Sequence, residues 1–241
     1  MSVEPNTAAI LRLAWARTLG LTDEAFDPAV PGAAQHLQKV VPDRITVVEL
    51  FGQQAVLAPT WFHAAIADPQ VRDEIGPLTE PANLLALSGR RMMRVVFDQV
   101  ITATDRYVED PSVPISLDPA AVNDVEHVCP PDDISQADLA ASSSTFVALD
   151  DADLPAAAAG YREQAGFLAE LSVLTAPTHR LRGWGTKAAS VALNDALDGG
   201  LIPQLRRTTG SLAAAALGSR LGLQPIGRFT ELQAIERIPP H

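Results

Sequence analysis

Arg180-Leu181-Arg182-Gly183-Trp184-Gly185 lies between an apolar run, Ala169 to Pro177, and a helix-patterned segment, Thr186 to Leu197. A strand therefore feeds a short basic loop with two glycines, and the loop opens a helix. This order predicts a phosphate site. The first N–H groups of a helix have no internal partner, and the helix dipole adds partial positive charge there. Glycine lets a bulky anion approach the main chain and adopts the φ values that a nest of N–H groups needs. Arg180 and Arg182 add formal charge and forked donors.

The charge balance narrows the ligand. The chain of 241 residues has a formal net charge of −11, which argues against a nucleic-acid partner. Residues 171–230 nevertheless hold Arg180, Arg182, Lys187, Arg206, Arg207, Arg220 and Arg228 against only Asp195 and Asp198. A local basic field in an acidic chain suits a small polyanion better than a long polymer.

Other ligand and location classes are set aside on composition. No apolar run approaches the ~18 residues of a membrane span. Met1-Ser2-Val3-Glu4-Pro5-Asn6 carries an acid and no basic segment, so no secretory leader is expected. Cys129 is the only cysteine, which excludes an internal disulfide and a thiolate-rich metal centre. His127-Val128-Cys129 lacks further spaced ligands, so no metal is expected. These readings point to the cytoplasm of a bacterial-type cell.

The periodicity predicts an α/β chain with a mixed sheet. Helices are expected at Asn6–Leu19, Thr60–Ala67, Asn83–Leu87, Pro119–His127, Thr186–Leu197 and Leu212–Arg220, with short ones at Thr22 and Ile134. Strands are expected at Ile45–Leu50 and Gln54–Ala58 as a hairpin, then at Met92–Thr102, Thr145–Leu149, Pro155–Tyr161, Gly166–Thr175, Leu201–Arg206 and Ile226–Ile235. Glu109-Asp110-Pro111-Ser112-Val113-Pro114 reads as a linker. It divides the chain into an α+β region, 1–114, and a second unit, 115–241. Trp15, Trp61, Phe62 and Phe97 are expected in the core of the first.

Two phosphate motifs fail on context. Gly183-x-Gly185-x-x-Ala188 satisfies a loose dinucleotide fingerprint, but too little chain follows for the βαβ units that such a domain needs. Gly185-Thr186-Lys187 has the wrong order for a nucleotide P-loop.

From Ala148 onward, the order of elements and the motif together resemble the GNAT superfamily of acyl-CoA N-acyltransferases. That signature is Arg or Gln, two residues, Gly, one residue, then Gly or Ala, which Arg180, Gly183 and Gly185 fit. Ala169-Glu170-Leu171 and Arg220-Leu221-Gly222-Leu223 stand where members carry similar segments. The resemblance implies transfer of an acyl group, acetyl above all, from acetyl-CoA or another acyl-CoA to a primary amine of a small molecule or protein. It implies that the pyrophosphate is held by the loop Arg180, Leu181, Arg182, Gly183, Trp184, Gly185 and Thr186, chiefly by amides from Arg182 to Lys187. The pantetheine would pair along Val173, Leu174 and Thr175, where this strand splays from Leu201–Arg206, and an N–H near Leu174 would polarise the thioester carbonyl.

The resemblance also offers Glu170 as the base that deprotonates the amine. The competing reading is a surface or ion-paired carboxylate beside Arg182 or Arg162. Gly218 stands where many members have a tyrosine that protonates the leaving thiolate, so an acyl-CoA-binding sensor or scaffold is the alternative. Ser211 or Ser219 could supply the proton through water. Tyr161 is read either as lining the acceptor pocket or as a core residue, and His179 as a solvent-facing neighbour of the loop. The region 1–114 is read as a cover for the acceptor side or a degenerate copy of the same fold, and a homodimer is left open.

Overall fold

The computed structural model describes residues 3–29, 37–109 and 111–235; Met1, Ser2 and Asp110 of the segments quoted above lie outside them. Helix α1 (Pro5–Thr18) precedes strands β1 (Leu37–Val40), β2 (Arg44–Leu50) and β3 (Gln53–Ala58). Helices α2 (Thr60–Ala67), α3 (Pro69–Ile75) and α4 (Pro81–Ser88) lead into the long strand β4 (Met93–Ala103). Then come β5 (Ile115–Ser116), α5 (Pro119–His127), α6 (Pro131–Ala137), β6 (Ser144–Leu149), β7 (Pro155–Gln164) and β8 (Leu168–Thr175). The chain closes with α7 (Trp184–Asp198), β9 (Ile202–Thr208), α8 (Leu212–Arg220) and β10 (Gln224–Ala234).

The ten strands of the described residues form one mixed sheet in the order β1-β3-β2-β10-β4-β9-β8-β7-β6-β5. The last strand, β10, inserts between β2 and β4 and is antiparallel to both. β4 in turn flanks β9. Residues before and after the 109–114 segment are thus interleaved in one hydrogen-bonded array.

Side-chain alternation assigns each helix to a face. On β8, Leu168 joins the cluster of Leu11, Trp15 and Phe26 under α1, and Leu174 joins the cluster of Val122, Val125 and Leu139 under α5 and α6. Both side chains point to the same face of the sheet. Ala169 and Leu171 point the other way, onto Ala188, Ala192 and Leu193 of α7. In the first half, Ile45, Val47 and Leu232 bury that second face against Phe62, Ile66 and Leu84 of α2 and α4.

Several segments differ from the sequence expectation. No helix starts at Thr22; the Asp23 carboxylate accepts from Arg17 at 2.8 and 3.0 Å, and the chain turns there to bury Phe26. Helix α3 is short but capped, with Asp68 accepting from the Gln70 N–H. Trp15 and Phe62 are core residues as expected, whereas Phe97 is 41% exposed. It lies outside the core because β9 pairs with β4 only from Gln99 onward, which leaves that flank of β4 open.

Candidate functional site: a forked strand pair below an uncapped helix

β8 and β9 are the parallel neighbours that α7 connects. Their pairing covers only Leu168–Ile202, Ala169–Pro203 and Glu170–Gln204. Beyond Glu170 the strands diverge, and β8 keeps its other neighbour, β7, through to Thr175. Ser172 and Val173 become half-buried where Leu168 to Leu171 are buried. The expected splay is therefore present, and Val173, Leu174 and Thr175 line one arm of it.

A buried polar network ties the fork at its vertex. Glu170 is 7% exposed and Gln204 is fully buried. Gln204 Nε2 donates to Glu170 Oε2 at 2.6 Å, while Gln204 Oε1 accepts from Trp15 Nε1 at 3.1 Å. The indole nitrogen can only donate, so the amide orientation of Gln204 is fixed. Arg206 donates its main-chain N–H and its Nε to Glu170 Oε1, each at 3.2 Å. The Glu170 carboxylate is thus ion-paired with Arg206, not with Arg182 or Arg162. Oε1 has both lone pairs engaged, and Oε2 keeps one.

The loop at the open end builds an anion cradle from main chain. A short 3₁₀ turn, Pro177–His179, leaves β8, and α7 begins at Trp184 with Gly183 as its N-cap and no side-chain cap. Lys187 N bonds Gly183 O at 3.0 Å and starts the ladder. The amides before it belong to the turn that a helix leaves unpaired. Leu181 at φ 61 and Gly183 at φ 85 are both left-handed, the backbone pattern that turns successive N–H groups toward one point. Leu181 pays for this conformation with ~1–2 kcal/mol, and its side chain is fully exposed.

The two glycines have different reasons. At Gly183 a Cβ would meet nothing within 4 Å, so the positive φ is the requirement. At Gly185 a Cβ would lie 2.6 Å from Thr175 Oγ1 and 3.4 Å from Val173 Cγ1, so the requirement is close packing of α7 on the β8 arm.

The charged side chains divide their work. Arg180 is turned away from the helix end: Nη2 donates to Asp133 Oδ2 at 2.6 Å and Nε to Thr175 O at 3.3 Å, pinning the loop to α6 and β8. Arg182 is exposed. Lys187 Nζ sits 4.0 Å from the centre of the Trp184 ring. His179 is not a free neighbour; its Nε2 is 2.9 Å from Asp150 Oδ2, and its ring stands edge-on to Trp184.

Other candidates resolve as structure. Tyr161 points to α7, where its hydroxyl donates to Asp195 Oδ2 at 2.7 Å, and burial raises its pKa; it packs as a core residue. Ser211 Oγ accepts from Ala214 N as the N-cap of α8. Gly218 is buried within α8 against Leu223, and Ser219 is exposed. A cavity of about 320 Å³ bounded by Trp61, Arg91, Met93 and Ile235 lies where β4 begins and β10 ends, away from the fork. Among the described residues, no helix is long and apolar enough to cross a membrane.

The fork vertex was only half legible. Glu170 stood out in the sequence, but Gln204, Arg206 and Trp15 are brought to it by strand pairing and by α1, and no local spacing signals that.

No family model and no curated protein matches the chain. Solved structures do. A GCN5-related N-acetyltransferase from Sphaerobacter thermophilus aligns over 97% of this chain and 94% of its own, with 16% identity and a TM-score of 0.52. One from Kribbella flavida aligns over 64% of each chain at 21% identity and a TM-score of 0.48. An acetyltransferase of the GNAT family from Colwellia psychrerythraea aligns over 64% of this chain and 62% of its own, at 14% identity and a TM-score of 0.47. The Sphaerobacter match spans both halves, including the interleaved β4 and β10, and it establishes that this chain has the fold of a GCN5-related N-acetyltransferase.

Proposed function

We propose that the protein is an acyl-CoA-dependent N-acyltransferase, with acetyl-CoA as the expected donor and a primary amine as the acceptor. The observation that carries this reading is the coincidence of two features on one β-α-β unit. The β8–β9 ladder stops at Glu170 and Gln204, and the uncapped, left-handed entry to α7 stands at the open end of the same strand. The residues fit the donor. Amides from Arg182 to Thr186 suit a pyrophosphate, Lys187 and Arg182 supply charge, and the free edge of Val173 to Thr175 offers main-chain groups to an amide-bearing pantetheine.

The bound thioester would supply an acyl carbon open to direct attack by an amine, the C–N bond forming as the C–S bond breaks and coenzyme A leaves as its thiolate. An N–H near Leu174 would stabilise the charge that develops on the carbonyl oxygen. The amine must first lose a proton, because an ammonium has no lone pair. Glu170 takes that role through the remaining lone pair of Oε2, directly or through a water. Residues 1–114 supply α1 and β4 along the fork and cover its acceptor side.

A second reading keeps acyl-CoA binding without turnover, as a sensor or scaffold. Gly218, in the place of the usual proton donor, favours it. Calorimetric titration with acetyl-CoA, followed by thiol release across an amine panel, separates the two. Binding with turnover supports the transferase, binding alone supports the sensor, and no binding removes both. Charge reversal at the exposed Arg182 (R182E) is expected to weaken acetyl-CoA at least tenfold at low salt.

A further inference from the structure

Past the fork, the α1-bearing face of the sheet sets exposed Thr208 and Phe97 and half-buried Gln99 and Glu231 beside the buried Phe229, Val48 and Thr46. Strand register lays them out in rows. Thr208, Gln99, Phe229 and Val48 share one row across β9, β4, β10 and β2. Phe97, Glu231 and Thr46 share the next row across β4, β10 and β2. The aromatic pair, Phe97 and Phe229, has ring centres 5.8 Å apart and lies between the fork arm and Glu231.

These rows are apolar in the middle and acceptor-rich at both ends. Phe97 is 41% exposed. Gln99 is half-buried, and its Oε1 is buried with no donor among the described residues. Glu231 is half-buried; its Oε2 accepts from Thr46 Oγ1 at 2.9 Å, and the rest of the carboxylate is unmatched by an ion pair among the described residues. Arg94, one row beyond, donates to Gln233 at 3.0 Å. Arg206 is neutralised by Glu170.

We propose that the acceptor is a linear diamine, with one amine delivered to the fork beside Gln99 and the second, as an ammonium, held by Glu231, its apolar spacer lying on Phe97. This rests on the N-acyltransferase reading and names its substrate class. The span agrees: two strand spacings across and two residues along, from the β9 arm to Glu231, give about 12 Å. That is the reach of an extended eight-carbon diamine. A cation beside an aromatic face and a partly desolvated carboxylate is favoured over the same cation in water.

The test compares 1,8-diaminooctane with octylamine, using acetyl-CoA and reading thiol release. Wild-type protein is expected to acetylate the diamine with a kcat/KM at least tenfold above that of octylamine. Glu231→Gln is expected to raise KM for the diamine about tenfold, leave kcat unchanged and leave octylamine unaffected. The glutamine still accepts from Thr46, so its thermal midpoint should match wild type. Phe97→Ala is expected to raise KM for both amines. Equal use of the two amines by wild type, or an unchanged diamine KM in Glu231→Gln, overturns the proposal. So does the absence of any acetylation while acetyl-CoA binds tightly. Absence of acetyl-CoA binding instead removes the transferase reading on which the proposal stands.

Discussion

Arg206 gives Glu170 its main-chain N–H as well as its guanidinium, both at 3.2 Å on the same oxygen. That N–H faces β8, and a continuing parallel ladder would engage it with the main chain there. The carboxylate substitutes for the strand, and this is why the sheet can part at this point without leaving a buried donor unpaired.

Glu170→Gln must present an amide donor either to Gln204 Nε2 or to Arg206, because Gln204 is itself fixed by Trp15. The variant is expected to lose about 1–3 kcal/mol in urea unfolding. If Glu170 is the base, turnover at neutral pH also falls about 10²-fold or more with acetyl-CoA affinity retained. Arg206→Met disturbs the strut but not the base. Equal turnover losses in the two variants would assign Glu170 a positioning role only.

The glycines of the loop should separate strain from packing. Gly183→Ala places a Cβ in free space at φ 85, so it is expected to cost ~1–2 kcal/mol of stability and to weaken acetyl-CoA only modestly. Gly185→Ala drives a Cβ onto Thr175 Oγ1 and should shift α7 off the β8 arm, lowering acetyl-CoA affinity at least tenfold. The double variant Gly185→Ala, Thr175→Ala removes the clashing oxygen and should recover part of that loss in calorimetry. No recovery would mean that the loop, and not the helix–strand contact, sets the affinity.

Strand order makes a prediction about the two halves. A fragment of residues 115–241 keeps β10 but loses β2 and β4, its neighbours on both sides, and uncovers the outer edge of β9. It also loses Trp15 from the fork vertex. The fragment is expected to show no cooperative unfolding transition and no acetyl-CoA binding. Co-expression with residues 1–114 should restore both, and a stable, cooperative lone fragment would contradict the interleaved register.

Legibility in the sequence tracked how local the physics was. The β8–loop–α7 unit could be read because its signals are sequential: an apolar run, two glycines, then helical periodicity. Helices α2, α5 and α8 likewise followed from spacing and flanking prolines or caps. The fork vertex was hidden because Trp15, Glu170 and Gln204 are 34 to 189 residues apart in sequence. The exposure of Phe97 was hidden for a related reason. An apolar strand looks alike whether its flank is paired or open, and only the end of β9 at Thr208 decides which.

Acid should loosen the loop through Asp150. Its Oδ1 accepts the N–H groups of Ala152 and Leu154 at 2.9 and 3.0 Å, and its Oδ2 faces His179 Nε2. The Leu154 amide, then the Ala152 amide, then His179 hold this carboxyl below the ordinary aspartate range. A depressed carboxyl contributes stability that is present above its unfolded pKa of about 3.9 and is lost as pH falls through the lower folded value. Through His179 the same group steadies Trp184 at the head of α7. Asp150→Asn is therefore expected to be less stable than wild type at neutral pH, with the gap closing as pH falls below about 4. Thermal midpoints between neutral pH and acid would measure this, with Trp184 fluorescence as the local reporter. Parallel acid limbs in the two proteins would show that Asp150 is not the group being titrated.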